Sequence, residues 1–349
     1  MCIKNIYKYQ TKYFADSVEW CVDPQEFQHI FSCGTYQLDE EKSQEFQQRK
    51  GSIIVFSISV NEAATTETEV QKLFEQETDG ILDQKWLRNV DAPLLAAATS
   101  SGGVDIYSWE KNHQLLSRHS MKIDPEDREN IALSLDWDSQ KHKILLSDSK
   151  GCITLLDFSD KSSLNLVNRW NAHSYEAWTC CFHKNDTNIV LTGGDDSLCC
   201  IYDLRDLSKE THSIKSHEAG VTAFLTYESR PNIFCTGSYD EHLRVFDMRS
   251  LRRPLESINL KGGIWRLKAN PFAEDLILCA CMYHNFTVCS LTADGSPEIK
   301  ATYNGDHNSI CYGADWCPIK GKQEEYLFGS CSFYDCLLTL TRRRGGCSL

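Results

Sequence analysis

One unit of sequence is written twice between His173 and Asp247, and this repeat constrains the fold more than any other feature of the chain. The first copy runs from His173 through Gly193-Gly194-Asp195-Asp196 to Tyr202-Asp203; the second runs from His217 through Gly237-Ser238-Tyr239-Asp240 to Phe246-Asp247. Each landmark of the second copy lies 44 residues after its counterpart. A period of about 40–45 residues, with a histidine near the start and an aromatic-Asp pair at the end, marks a unit of four short strands.

Phasing the chain on these copies yields about seven such units, so the expected fold is an all-β, seven-bladed WD-repeat β-propeller formed as a single domain over residues 1–349. Leu94–Thr99 and Val104–Trp109 belong to an early unit, Leu133–Trp137 and Lys143–Phe158 to the next, and the segments 261–291 and 310–340 supply the last two. In the third unit Lys150 stands where the twin copies have Asp196 and Asp240, so one landmark is lost. The region from Asp16 to Val22 is expected to close the ring by completing the last blade. The acidic, Thr/Glu/Gln-rich stretch from Asn61 to Thr78 reads as a solvated loop, one that extends to about residue 85. The tail 341–349 departs from the aromatic-Asp ending.

The formal net charge of −13 disfavours nucleic acid and anionic membrane as partners, because both demand a basic surface. It suits a cationic ligand or a basic patch on a protein, or else serves solubility. No apolar run approaches a membrane span, and Met1 to Gln10 lacks the apolar core of a secretion signal, so a cytoplasmic monomer is expected. Seventeen cysteines occur without a C-x-x-C pair, and many sit in apolar strands, where a free thiol acts as a small hydrophobe; neither a metal site nor a cofactor is expected.

Within the repeat, His173 with Asp196 and His217 with Asp240 are expected to hydrogen-bond as structural pairs, which removes their histidines from the catalytic candidates. The inner strands are more informative. Phased together, they place Trp178, Thr222, Trp265 and Tyr312 at one level near an opening of the central channel, with Glu176 one step before the level of Ala177. Rings and a carboxylate favour a quaternary ammonium or another soft cation, although each ring alone could equally pack between blades. Tyr239 and Tyr334, each followed by Asp, are candidates for the same binding surface. Glu241 and His242 replace the small residues usual after the turn aspartate, and His284 falls opposite Glu241. Arg266 adjoins Trp265 and points to the other face. No nucleophile elbow, H-E-x-x-H or phosphate loop occurs, so by motif alone a non-catalytic interaction scaffold is the default.

Taken together, SYDEHLRVFDMR, GGDDSLCCIYDLRD, GGIWRLKANPF, YGADW and CSFYD resemble the WD-repeat diphthine methyl ester hydrolase family of diphthamide biosynthesis, in older naming diphthine methyltransferase. The resemblance is closest from about Ala172 to Asp335. It implies a carboxylic ester hydrolase whose protein substrate is elongation factor 2. The methyl ester of methylated diphthine, which carries a trimethylammonium group, would be cleaved to leave a free carboxylate. Such a reaction needs a base and oxyanion donors. From the residues, Glu176, Glu241 and His284 are candidate bases, Arg266 and the amides near Gly262-Gly263 are candidate donors, and Cys331 is a weaker candidate nucleophile. A protein-docking scaffold and a methyl-lysine reader remain as alternatives.

Overall fold

A computed structural model describes residues 2–39, 48–60, 68–87, 92–110, 112–138, 140, 143–159, 163–320 and 325–344. Seven four-stranded antiparallel sheets are arranged in a ring. A single 3-10 turn at Gln25–Phe27 is the only helical segment among the described residues. The inner strands of blades one to seven are Phe14–Trp20, Ile81–Trp86, Ala132–Trp137, Ala177–His183, Val221–Thr226, Ile264–Asn270 and Cys311–Trp316. Each touches the inner strand of the next blade, and the seventh touches the first.

Apolar side chains on both faces of each sheet pack against the neighbouring blades. Between blades five and six, for example, Leu225, Val245, Ile277 and Cys279 form one buried cluster. Cys199, Cys235, Cys279, Cys289 and Cys331 are buried in this way, and burial pushes the Cys331 thiol well above its ordinary range, which leaves it a poor nucleophile. Polar links reinforce the ring. The indole Nε1 of Trp86, Trp137 and Trp316 donates to the backbone carbonyls of Glu19, Lys85 and Lys268, one blade back, at 3.2, 3.2 and 3.0 Å. Carboxylate side chains reach one blade forward: Asp315 accepts from the Trp20 amide at 2.7 Å and Asp136 from the Phe182 amide at 2.9 Å.

The strand that closes the ring is Cys2–Gln10, not the Asp16–Val22 region. Cys2–Gln10 pairs antiparallel with Leu337–Arg344 as the outer strand of blade seven, and Phe14–Trp20 opens blade one beside the axis. The physical reason lies in exposure. An outer strand needs only one paired edge and tolerates the protruding Lys4 and Lys8, whereas Ala15, Asp16, Ser17 and Val18 are buried, as an inner strand requires. Thr341–Arg344, read from sequence as part of a divergent tail, is therefore regular strand; residues 345–349 lie outside the described residues.

The expected acidic loop is likewise largely strand. Thr68–Asp79 is the outer strand of blade one and pairs with Arg49–Val60, while Ile81–Trp86 is the inner strand of blade two. An outer strand is solvated on one side, so an acidic, Thr-rich composition is compatible with it; residues 61–67 lie outside the described residues.

Candidate functional site

Every inner strand has a β-bulge near its start. The pairing register slips between Ala15 and Ser17, Ile81 and Asp83, Ala132 and Ser134, Ala177 and Thr179, Val221 and Ala223, Ile264 and Arg266, and Cys311 and Ala314. A bulge re-aims the side chain of its extra residue. Those residues include Asp16, Trp178, Thr222, Trp265 and Tyr312, so the level proposed from sequence is real and also carries an aspartate.

The rings converge. Trp178 and Trp265, from blades four and six, meet edge to face at 5.6 Å between centroids, above the small Thr222 of the blade between them. The Thr222 hydroxyl donates to the Ile264 carbonyl and so fastens blade five to blade six. Tyr239, from the turn of blade five, lies 5.9 Å from Trp178 and 5.8 Å from Trp265. Trp265 contacts Tyr312 at 4.8 Å, Tyr312 stacks on Phe333 at 5.0 Å, and Phe333 reaches Tyr36 and Phe14 of blade one at 4.8 and 4.9 Å. An aromatic arc thus runs from blade four to blade one.

Tyr334 sits outside that arc. Phe333, not Tyr334, donates its amide to a backbone carbonyl of the preceding loop as Tyr239 does, because the last turn holds one extra residue; the Tyr334 amide donates instead to the Ser309 hydroxyl at 3.0 Å, and its side chain, 63% exposed, rests edge-on against Phe14 and Phe333. The Tyr-Asp match in sequence is therefore out of register by one residue for the ring. It is in register for the carboxylate, since Asp335 accepts from the Asn308 amide at 2.8 Å just as Asp240 accepts from that of Glu218 at 2.8 Å.

Beneath the arc, Arg266 crosses the channel. Its Nη2 donates to the Leu82 carbonyl at 3.1 Å and to Asp83 at 3.3 Å, and stands 4.0 Å from Asp16; the guanidinium lies 5.6 Å from the Trp265 ring. Burial alone would raise Asp83, but Lys85, Arg266 and the Leu135 amide together hold it below the usual carboxylate range. Asp16 is the opposite case. It is 1% exposed, its Oδ2 has no hydrogen-bond partner, and burial pushes its carboxyl well above the usual range, with Arg266 opposing and Asp83 reinforcing the shift. Trp265 Nε1 is a second buried polar atom there without a partner. Sequence reading missed Asp16, Asp83, Tyr36 and Phe333. Extending the bulge alignment to the first blade would have found Asp16.

The other candidates are placed around the rim. Glu241 accepts from the Asn259 amide side chain at 3.2 Å, at the outer strand of its blade. His284 occupies the equivalent turn position in blade six, where both backbone amides close the turn. Glu176 is half-buried, and with Asp195 it pushes the Tyr239 hydroxyl further up, after burial as the main cause. Among the described residues these three share no hydrogen bond or ion pair with one another or with Arg266.

The first structural pair forms as expected: His173 Nδ1 meets Asp196 at 2.9 Å and its Nε2 meets Thr192 Oγ1 at 2.9 Å. The second does not. His217 bonds Thr236 at 2.8 Å but its Nδ1 has no partner, because Arg244 draws the Asp240 carboxylate to itself at 2.8 Å. A full positive charge outcompetes a neutral imidazole for the same oxygen. In blade three, Asn130 and Asp148 meet at 3.2 Å in place of the lost landmark. At the far end of the channel, Lys268 bridges Glu19 and Asp315 over a cavity of about 330 Å³ also lined by Lys85 and Asp136; burial pushes Glu19 up to about 7 despite Lys268.

Comparison with known proteins accords with this architecture. A family model described as "WD domain, G-beta repeat" matches residues 164–203 and 208–247. A chain from a solved structure titled "Crystal Structure of Mitotic Checkpoint Complex" superposes with a TM-score of 0.70 at 15% identity, over 98% of this chain and 92% of that one, a likeness of fold alone. A diphthine methyltransferase homolog of Dictyostelium discoideum is 33% identical over 94% of this chain and 96% of its own length. The diphthine methyltransferase of Mus musculus is 36% identical over 88% of this chain and 68% of its own length. With about a third of its residues shared over most of its length with such relatives, the chain belongs to the diphthine methyltransferase family.

Proposed function

We propose that the chain is a diphthine methylesterase that hydrolyses the methyl ester of methylated diphthine on elongation factor 2. The observation that carries the reading, beyond family membership, is the buried Asp16 carboxyl, whose Oδ2 has no hydrogen-bond partner and stands 4.0 Å from the channel-crossing Arg266, beneath an arc of aromatic rings.

In this reading the fixed trimethylammonium packs against Trp178, Trp265, Tyr312 and Tyr239, each well-placed ring contributing about 0.5–2 kcal/mol. Anchoring the cation positions the neighbouring ester. The ester reaches Asp16 only by parting the rings above it. Asp16, as carboxylate, takes a proton from water; the water oxygen bonds to the ester carbon, and the oxyanion forms beside the Arg266 guanidinium. Collapse breaks the bond to the methoxy oxygen, which leaves as methanol with the proton from Asp16, and the substrate retains a free carboxylate. Geometry favours Asp16 over Glu176, Glu241 and His284, which stay at the rim and contribute negative potential there.

The test is hydrolysis itself. Elongation factor 2 bearing methylated diphthine, incubated with the pure chain, should release methanol and lose the mass of one CH2 per site; an unchanged mass where an active relative works rejects the reading. Trp265→Ala should raise KM at least tenfold.

A further inference from the structure

The face of the ring where the inner strands begin differs from the opposite face in two respects that the proposed chemistry does not use. Three tyrosines, Tyr175 in the loop entering blade four, Tyr283 in the turn of blade six and Tyr334 in the turn of blade seven, are 63, 82 and 63% exposed. They are the most exposed large apolar side chains among the described residues, and they lie around the same opening as the aromatic arc. Tyr283 has a backbone φ of 59°, a left-handed conformation that costs a non-glycine residue energy in the free protein.

Charge is segregated in the same direction. Among the described residues, the interstrand loops of this face hold thirteen Asp and Glu against five Lys and Arg, whereas those of the opposite face hold eight of each. Four of the carboxylates pair with strand cations, namely Asp306 with Lys8, Asp39 with Lys50, Asp124 with Arg169 and Asp240 with Arg244, and an acidic excess persists. Among the described residues, the acidic excess of the loops is therefore gathered around one opening.

Exposed tyrosines are efficient protein-contact residues, since each offers a large amphipathic surface with few torsions to immobilise. An acidic field around them selects a partner of opposite sign and repels nucleic acid. We infer that this face is a docking surface for a folded protein that presents a basic surface around the side chain to be modified, with Tyr175, Tyr283 and Tyr334 as contact anchors and the loop carboxylates steering the encounter. The inference rests on the proposed methylesterase reading for the direction in which the substrate enters, and it adds where and how the protein part of the substrate is held.

Binding and turnover are measured separately, so the two ideas fail separately. With intact elongation factor 2 bearing methylated diphthine as the probe, fluorescence anisotropy should show affinity falling at least tenfold between low and moderately high salt. Tyr175→Ser and Tyr283→Ser should each weaken binding at least fivefold and raise KM to match, with kcat unchanged. A triple Glu126→Gln, Glu129→Gln, Glu218→Gln variant should slow association and flatten the salt dependence. Leu255→Ser and Phe272→Ser, on the opposite face, should leave binding unaltered. Salt-insensitive binding that is also indifferent to the two tyrosine variants overturns the docking surface. Tight, tyrosine-dependent binding without methanol release overturns the esterase reading instead.

Discussion

The Arg266 guanidinium donates to the Asp83 carboxylate at 3.3 Å across the central axis, joining two residues 183 positions apart on blades six and two, which are not neighbours in the ring. The same carboxylate accepts from Ser134 at 2.9 Å and from the Leu135 amide at 3.1 Å, so three blades meet at one aspartate. Arg266 therefore does more than wait for substrate: it ties opposite walls of the channel together.

Removing that cation should be costly. Arg266→Met leaves Asp83 buried with Lys85, 3.8 Å away, as the main remaining cation to offset its charge. Losing one partner of a buried pair costs about 3–5 kcal/mol, and the remaining lysine points to the lower end of that range. Thermal unfolding should show a clear drop, and the double variant Arg266→Met, Asp83→Asn should recover most of it, since it strands no charge. An unaltered midpoint in the single variant would mean that the crossing contact contributes nothing to closure.

Asp16→Asn should separate stability from catalysis. As the proposed base, Asp16 accounts for roughly 10²–10⁴ of the rate, so kcat should fall by about that factor, and wild-type kcat/KM should rise with pH as the carboxyl ionises. The folded state holds the Asp16 proton more tightly than the unfolded chain does. Its contribution to stability is complete below an unfolded pKa of about 3.9 and is lost as pH climbs through the raised folded value. Asparagine keeps the neutral shape, so the stability of the variant relative to wild type should grow as pH rises above about 4. Urea melts at several pH values measure this directly.

Acid should destabilise the ring through two buried histidines. Burial, with Arg244 adding repulsion against the pull of Asp240, pushes His217 down to about 4; burial does the same to His307, against Asp335 and Asp306. Both are neutral when folded, so their contribution is full above an unfolded pKa of about 6.5 and is lost as pH falls toward 4, at most roughly 3 kcal/mol each. His307 Nδ1 meets Ser332 at 2.6 Å and its Nε2 meets Ser330 and Thr339 at 3.1 Å each. His217→Gln and His307→Gln should therefore lower stability at pH 7 yet flatten its acid dependence. Parallel pH profiles for variant and wild type would exclude this role.

Deleting residues 2–10 should open the ring. Leu337–Arg344 would become an unpaired edge, and Asn5, which accepts from Thr341 at 3.0 Å, would be lost along with the contacts of Ile6, Tyr7 and Tyr9 with the cluster around Trp20 and Phe56. The shortened chain should aggregate or melt far below wild type, as seen by light scattering during heating. A deletion of Asp16–Val22 does not serve as the equivalent test, because it removes the inner strand of blade one.

Blade count, strand rhythm and the level shared by Trp178, Trp265 and Tyr312 were legible in the chain itself, because a repeat of 44 residues and an alternation of two are properties of consecutive residues. The pair His173 and Asp196 was legible for the same reason. What the linear pattern could not decide was competition between partners. Only the folded ring sets Arg244 against His217 for Asp240, places one extra residue in the turn before Asp335, and assigns Cys2–Gln10 rather than Asp16–Val22 to the final edge. Asp16 shows the difference most sharply. Its type and position are written in the sequence, but its raised proton affinity comes from burial and from Arg266 and Asp83 on distant blades, and electrostatic energies depend on distance in space, not along the chain.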